Sequence, residues 1–182
     1  GLHTNFSETA EHKTGTCAVV IHEKERALCA NLAAALHYPF QHLKDNMANL
    51  ENSKILYTSC FFITSNYDAL IEVGKYAAAS GKPLGLNLSA VFLIQFEGDK
   101  VRQALEYADY LFCNEDEADA FAKYNNIEHS SRADIAVALA KWTKINTERQ
   151  RTVLITQGSL PIIVAIGQKD AEPEVREFQI PT

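Results

Sequence analysis

The chain has 182 residues, 47% of them apolar and 22% charged, and its 17 Lys and Arg against 23 Asp and Glu leave a formal net charge of −6. That length and balance describe one globular domain with a real core and exclude a disordered chain. The longest apolar stretches, such as Ile55 to Ile63, fall well short of the roughly 20 residues that span a bilayer, and no Lys/Arg cluster is available to displace counterions from a nucleic acid. The expectation is a soluble, intracellular protein with neither a membrane nor a nucleic-acid partner.

After a polar lead, CAVVIH (Cys17 to His22) and ALCANL (Ala27 to Leu32) read as two strands of a hairpin, joined by the charged turn Glu23 to Arg26. In the second run Leu28, Ala30 and Leu32 share one parity and therefore one face. From Ser53 onward strands alternate with capped helices. SKILYTSCFFI is read as a strand, followed by a helix with Ser65-x-x-Asp68 as its cap and Gly81 and Pro83 as its stop. KPLGLNLSAVF is read as a second strand and ADYLFC as a third, leading into a helix that starts at NEDE. Ser131-x-x-Asp134 caps another helix, with Ile135, Ala138, Leu139 and Trp142 on one face. RTVLITQG is a fourth strand, and PIIVAIG and VREFQI form an antiparallel edge, with Asp170 to Glu174 as a surface loop. Strands alternating with helices predict a mainly parallel sheet covered on both faces. Ligands of such sheets collect beyond the carboxyl ends of the strands.

Four cysteines, Cys17, Cys29, Cys60 and Cys113, lie far apart with no CxxC pair. Each sits in an apolar run where a thiol packs as a small hydrophobe, which argues against zinc and for a reducing compartment. The six histidines show no HxxxH or HExxH spacing, and neither a GxSxG elbow nor a GxxxxGK[ST] loop occurs.

Polar residues do recur at strand ends. Asn114 is a good N-cap, Glu117 completes a capping box, and the acids between them suit the positive end of the helix dipole. The same pair can hold a hydrated Mg²⁺, which keeps most of its water and needs only one or two carboxylates. The two readings are compatible. Thr156 and Gly158 in ITQGS end a strand on a hydroxyl and a glycine, where backbone N–H groups can approach an anion. Asn87 and Ser89 end another strand. Taken alone, Arg26 reads as a solvated charge and Phe61, Phe62 and Phe92 read as core. The chain opens on Gly1 and stops on Pro181-Thr182 after a strand-like run, so a piece of a longer protein is expected.

Five segments in register, TGTCAVVIHEKERALCANLAAA, FFIT, LNLSAVF, LFCNEDEA and ERQRTVLITQG, run from about Lys13 to Gly158 and resemble the adenosine-phosphorylating branch of the ribokinase-like, or PfkB-type, small-molecule kinases. The resemblance implies a three-layer α/β/α fold with a mainly parallel sheet and part of a small β-sheet lid. Residues 1 to 34 would be the lid hairpin and its return, and residues 35 to 182 the central part of the ATP- and nucleoside-binding domain. It implies ATP-dependent phosphorylation of the adenosine 5′-hydroxyl to AMP, a step of purine salvage, with Mg²⁺ required. By the same resemblance Cys17, Leu28, Ala30 and Leu32 line the apolar side of the nucleoside pocket, with Phe62 and Phe92 near the adenine. Arg26 meets the phosphates on lid closure. Asn114 and Glu117 carry Mg²⁺ through water, and Asn87, Asn114, Thr156 and Gly158 serve the nucleotide.

Two family parts are missing. No GAGD segment, which holds the family's catalytic aspartate, occurs in the chain, and by register it would follow Thr182. The amino-terminal ribose-gripping strand is likewise absent before Gly1. Val91 stands where the family commonly has proline. The resemblance therefore implies a central piece that is inactive alone and self-associates, while the complete enzyme works as a monomer in the cytoplasm, and the nucleus is also admissible. A kinase for another nucleoside or a sugar, or a non-catalytic binding domain, are the alternatives.

Overall fold

The computed structural model describes residues 3–23 and 25–180. Strands β1 (Thr16–His22) and β2 (Glu25–Asn31) form the expected antiparallel hairpin. Its register sets Cys17 opposite Ala30, Val19 opposite Leu28 and Ile21 opposite Arg26. Directly opposed residues share a face. Cys17, Leu28, Ala30 and Arg26 therefore stand on one side of the ribbon. The turn is tighter than the sequence led us to expect: His22 already pairs with Glu25, and Glu23 takes a left-handed φ of 54°. Lys24 lies outside the described residues, and Arg26 is a strand residue rather than a tip residue. The described side chains of the hairpin are exposed, Cys17 and Cys29 included, so these two thiols are not core groups.

The chain returns through a 3-10 turn (Ala33–Leu36) and two short helices that no periodicity announced, α1 (Phe40–Asp45) and α2 (Met47–Asn52). The ammonium of Lys82 serves as a remote C-cap for α2, donating to the carbonyls of Leu50 at 3.0 Å and Ser53 at 2.7 Å.

The main sheet runs β3 (Leu56–Ser59), β4 (Leu84–Asn87), β5 (Tyr110–Asn114), β6 (Thr152–Gln157), β7 (Leu160–Gln168) and β8 (Ala171–Phe178), in that order. β3 to β6 are parallel, and β7 and β8 return antiparallel at the edge. Helices α3 (Phe62–Ser80), α4 (Val91–Leu105), α5 (Glu115–Tyr124) and α6 (Arg132–Ala140) fill the crossovers. The α/β class and the mainly parallel sheet are as expected, and four details differ. The first strand stops at Ser59, so Phe62 opens a helix. That helix bends at Asn66 (φ −163°, ψ 96°), whose Oδ1 accepts from Ala69 N at 2.9 Å, so Asn66 caps the run rather than Ser65. The Ser65 hydroxyl is engaged elsewhere, donating to Ala35 O at 2.5 Å. The second strand stops at Asn87, which puts Phe92 in the first turn of α4. The surface loop shrinks to a turn at Lys169 and Asp170, because Gln168 pairs with Ala171.

Each crossover steps to the next strand in the same direction, and right-handed connections then place every helix on one face. The buried core follows this rule. Leu86, Leu111, Val153 and Ile155 point from the strands into Leu93, Val101, Phe121, Ile135 and Leu139 of the helices. The expected cover on the second face is not supplied by the described residues: Tyr57, Tyr110 and Phe178 are exposed there, beside half-buried Phe112 and Leu154. No described helix is long and apolar enough to cross a membrane.

Arg151, 1% exposed, locks the amino-terminal end of β6. Its guanidinium donates to Leu105 O (2.8 Å), the last residue of α4, and Ala108 O (3.0 Å) just beyond it, and to Leu139 O (2.9 Å) in the last turn of α6 and Trp142 O (2.8 Å) and Thr143 O (3.2 Å) beyond it. Those carbonyls lie where the helices end, at the negative ends of their dipoles, and two of them, Leu105 O and Leu139 O, also accept from Ala108 N and Trp142 N. Burial pushes the guanidinium down to about 10, so it stays charged at neutral pH.

Gly74 of α3 lies against Tyr107, and a Cβ there would sit 2.7 Å from the ring's Cγ. The ring is blocked close to its own backbone, so it has little room to swing away. Gly74→Ala is therefore expected to lower stability by about 1–3 kcal/mol, although alanine is the better helix former. A urea midpoint equal to or above the wild type would contradict this packing.

Candidate functional site

The carboxyl ends of β3 to β6 open into one cavity of about 490 Å³, lined by Ser59, Asn87, Ser89, Asn114, Glu117 and Thr156 above Tyr57 and Phe112. The strand period explains the gathering. With Leu56, Leu86, Cys113 and Ile155 turned into the helices, Ser59, Asn87, Asn114 and Thr156 must point the other way. Register pairs Ser59 with Asn87 and Asn114 with Thr156. Gly85 keeps the floor low: a Cβ there would meet Tyr57 Cδ2 at 2.9 Å, and without one Tyr57 lies edge-to-face with Phe112 at 5.9 Å.

Asn114 and Glu117 form a complete capping box. Asn114 Oδ1 accepts from Glu117 N at 2.8 Å, while the Glu117 carboxylate accepts from Asn114 N and Nδ2, both at 3.1 Å. Glu117 is only 5% exposed. Burial raises its carboxyl above the ordinary range, and the N–H groups of Asn114 and Ser89 pull part of the way back. A buried carboxylate next to Glu115 and Asp116 is a site that gains from a cation. The two Glu117 oxygens accept from Asn114, and the carboxylate also faces the Ser89 N–H, which leaves part of its four-lone-pair capacity to hold water around a metal. The donor set thus fits a hydrated Mg²⁺, and among the described residues no group of three or more His, Cys, Asp or Glu side chains offers a tighter cage.

Ser89 sits at φ 73°, strained for a residue with a Cβ. Its N–H donates to Asn87 Oδ1 at 2.8 Å and its hydroxyl to Asn87 O at 2.9 Å, which fixes the exit of β4. Cys60 and Cys113 are buried. Burial, then the Glu117 charge, pushes the Cys60 thiol up to about 12 and Cys113 higher still, so neither is a nucleophile.

The residues expected from the sequence fall into three places. Asn87, Asn114, Glu117 and Thr156 share the strand-end cavity, and Gly158 (φ 57°) turns just beyond it. Cys17, Leu28, Ala30 and Arg26 share the hairpin face. Leu32 leads from the hairpin into the 3-10 turn, and Gly15 lies so close that a Cβ would be 2.8 Å from Leu32 O. Phe62 and Phe92 are not brought together. Phe61 is the neighbour of Phe92, with centroids 6.1 Å apart, while Phe62 packs on Tyr38 at 4.9 Å. Phe62 lines a separate cavity of about 900 Å³ with Thr14, Gly15, Ala34, Tyr38 and Ser65 at the root of the hairpin. Sequence reasoning missed Ser59, Phe61 and Tyr38 as lining groups. Strand parity counted back from Cys60 would have found Ser59.

The sequence pattern of the pfkB family carbohydrate kinases matches residues 1–180, and the chain belongs to that family. Within it the chain is 37% identical over 167 residues to adenosine kinase 1 of Arabidopsis thaliana, covering 91% of this chain and 48% of the relative. Adenosine kinase of Dictyostelium discoideum is 39% identical over 160 residues, covering 87% and 47% respectively. The crystal structure of Anopheles gambiae adenosine kinase in complex with P1,P4-di(adenosine-5) tetraphosphate superposes with a TM-score of 0.91 at 38% identity, over 98% of this chain and 52% of that one. A ribokinase from Giardia lamblia, at 20% identity and a TM-score of 0.73, shares the fold. The chain spans about half the length of the curated relatives it matches.

Proposed function

We propose that the protein to which this chain belongs transfers the γ-phosphoryl group of ATP to the 5′-hydroxyl of adenosine, giving AMP, and so acts in purine salvage in the cytoplasm or nucleus. The observation that carries this reading is the overlap with the Anopheles gambiae adenosine kinase, found together with the Asn114–Glu117 pair at a strand-end cavity. Residues 1 to 34 act as part of a lid over a nucleoside site, and residues 35 to 182 as the middle of the binding domain. Cys17, Leu28 and Ala30 supply an apolar wall from one face of the hairpin, and Leu32 extends it toward the root. Arg26 shares that face and would bring its charge to the phosphates when the hairpin folds down. Phe92, now with Phe61, and Phe62 are the aromatic candidates for the base.

Phosphoryl transfer asks a protein for positioning and charge neutralisation more than for covalent chemistry. Asn87, Thr156 and the turn at Gly158 offer an amide, a hydroxyl and backbone N–H groups to the nucleotide. Glu117 and Asn114 would hold Mg²⁺ through water, and that ion would neutralise charge on the phosphates. No GAGD segment occurs in the 182 residues, so these residues alone are expected to bind without turning over. The complete protein is expected to be a monomer, whereas this chain self-associates through its bare sheet face.

The test is a substrate panel on the complete protein with ATP and Mg²⁺. Adenosine should be the preferred acceptor, and a clear preference for ribose or guanosine would sink the assignment. The 182-residue chain assayed alone should give no AMP, and turnover by it would overturn that part.

A further inference from the structure

We propose that Arg132 is a positioning residue for the turn at Gly158, and so sets the affinity for ATP without touching the reacting atoms. The inference rests on the nucleotide reading of that turn given above. Arg132 is the first residue of α6, whose own cap is Ser131. Its guanidinium grips Asp119 of α5 with two nitrogens, Nη2 to Oδ2 at 2.9 Å and Nε to Oδ1 at 3.4 Å. The third nitrogen, Nη1, donates to Gln157 Oε1 at 3.3 Å. Gln157 in turn donates from Nε2 to Pro161 O at 2.8 Å, on the returning strand β7. The chain of contacts therefore straddles Gly158 and Ser159, anchoring both sides of the turn to α5.

An exposed ion pair alone would carry little weight. Two features separate this one from an ordinary surface pair. A guanidinium can satisfy a carboxylate with one edge and still present a donor elsewhere, which a lysine cannot do at the same three points. Its other partner is the side chain that closes a hairpin with a glycine at φ 57°, where backbone N–H direction follows small changes in the turn. The electrostatics point the same way. Arg132 is held protonated first by Asp119 and then by the charges of Glu115 and Asp116, so it offsets acids that would otherwise repel a polyphosphate at this end of the sheet.

The experiment uses the complete protein, with initial rates measured against ATP and against adenosine, and Mg-ATP binding titrated directly by calorimetry. Arg132→Met should raise KM and Kd for ATP about fivefold to tenfold, with kcat at saturating ATP and KM for adenosine within about twofold of wild type. Arg132→Lys should recover part of the loss, and Asp119→Asn should weaken ATP binding in the same direction by a smaller factor. An ATP affinity unchanged within about twofold in Arg132→Met overturns the proposal. So does a parallel loss of kcat and adenosine affinity with a lowered Tm, which would mark a merely structural pair. If the wild type binds ATP but phosphorylates another acceptor, the adenosine reading fails while the Kd comparison still decides on Arg132. A wild type that does not bind ATP overturns both.

Discussion

Replacing Arg151 with methionine is expected to remove about 3–5 kcal/mol of folding free energy. Methionine fills most of the space, so the cavity cost is small and the polar cost dominates. Five carbonyls from the ends of α4 and α6 and the segments after them lose their common donor at once, three of them at fully buried bonds. A domain of this size has only about 5–15 kcal/mol in total, and this one has a sheet face uncovered by the described residues. Urea denaturation of the 182-residue chain followed by far-UV circular dichroism checks it. The variant should begin to unfold without denaturant or show a much lower midpoint. A shift worth less than about 1 kcal/mol would mean that other donors reach these carbonyls.

Glu117→Gln is expected to act in opposite directions on activity and on folding. In the complete protein the loss of the carboxylate should lower kcat/KM about 10–100-fold, in the range seen when groups that organise a hydrated metal are removed. Without Mg²⁺ the same change should stabilise the 182-residue chain at neutral pH. The folded carboxyl holds its proton more tightly than the unfolded one, because burial raises it. Between the ordinary carboxylate range and that raised value, the folded state binds more protons, so stability falls as pH increases. Gln carries no such deficit and can keep the bond from Asn114 N. Its advantage should be present at pH 7, shrink as the medium is acidified from there toward the ordinary carboxylate value of about 4.3, and narrow at pH 7 when Mg²⁺ is added. Urea midpoints at the two pH values, with and without Mg²⁺, read this directly. A variant less stable than wild type at pH 7 without Mg²⁺ would show that the capping bonds outweigh the buried charge.

Features written in local chemistry were legible in the sequence. The capping boxes at Asn114 and Ser131 formed as spaced, because each closes within one helical turn. The shared face of Leu28 and Ala30 followed from strand parity alone. What depends on distant partners was not legible. Arg151 reads as an ordinary charge at a strand start, since its carbonyl partners lie between 8 and 46 residues away. Ser65 looked like a cap until Ala35, 30 residues upstream, took its hydroxyl. Phe61 and Phe62 are neighbours in sequence with nothing to rank them. A helix beginning at Phe62 sends them in different directions, and only Phe61 meets Phe92. Strand lengths were overread at KPLGLNLSAVF for a related reason: apolar residues continue from β4 into a buried helix without a change in composition.

Because β5 and β6 run two residues past the pairing of Asn87 with Phe112, the ends of the four parallel strands form a stair rather than a shelf. At about 3.3 Å per residue the upper tread, Asn114 and Thr156, stands roughly 7 Å above the lower one, Ser59 and Asn87. The lower tread lies at the height of Phe112, so a flat ring can rest there, whereas the riser is made of polar ends. A ligand laid across these strands is therefore read at two heights. Shortening it from either end should cost one tread at a time and leave the other engaged.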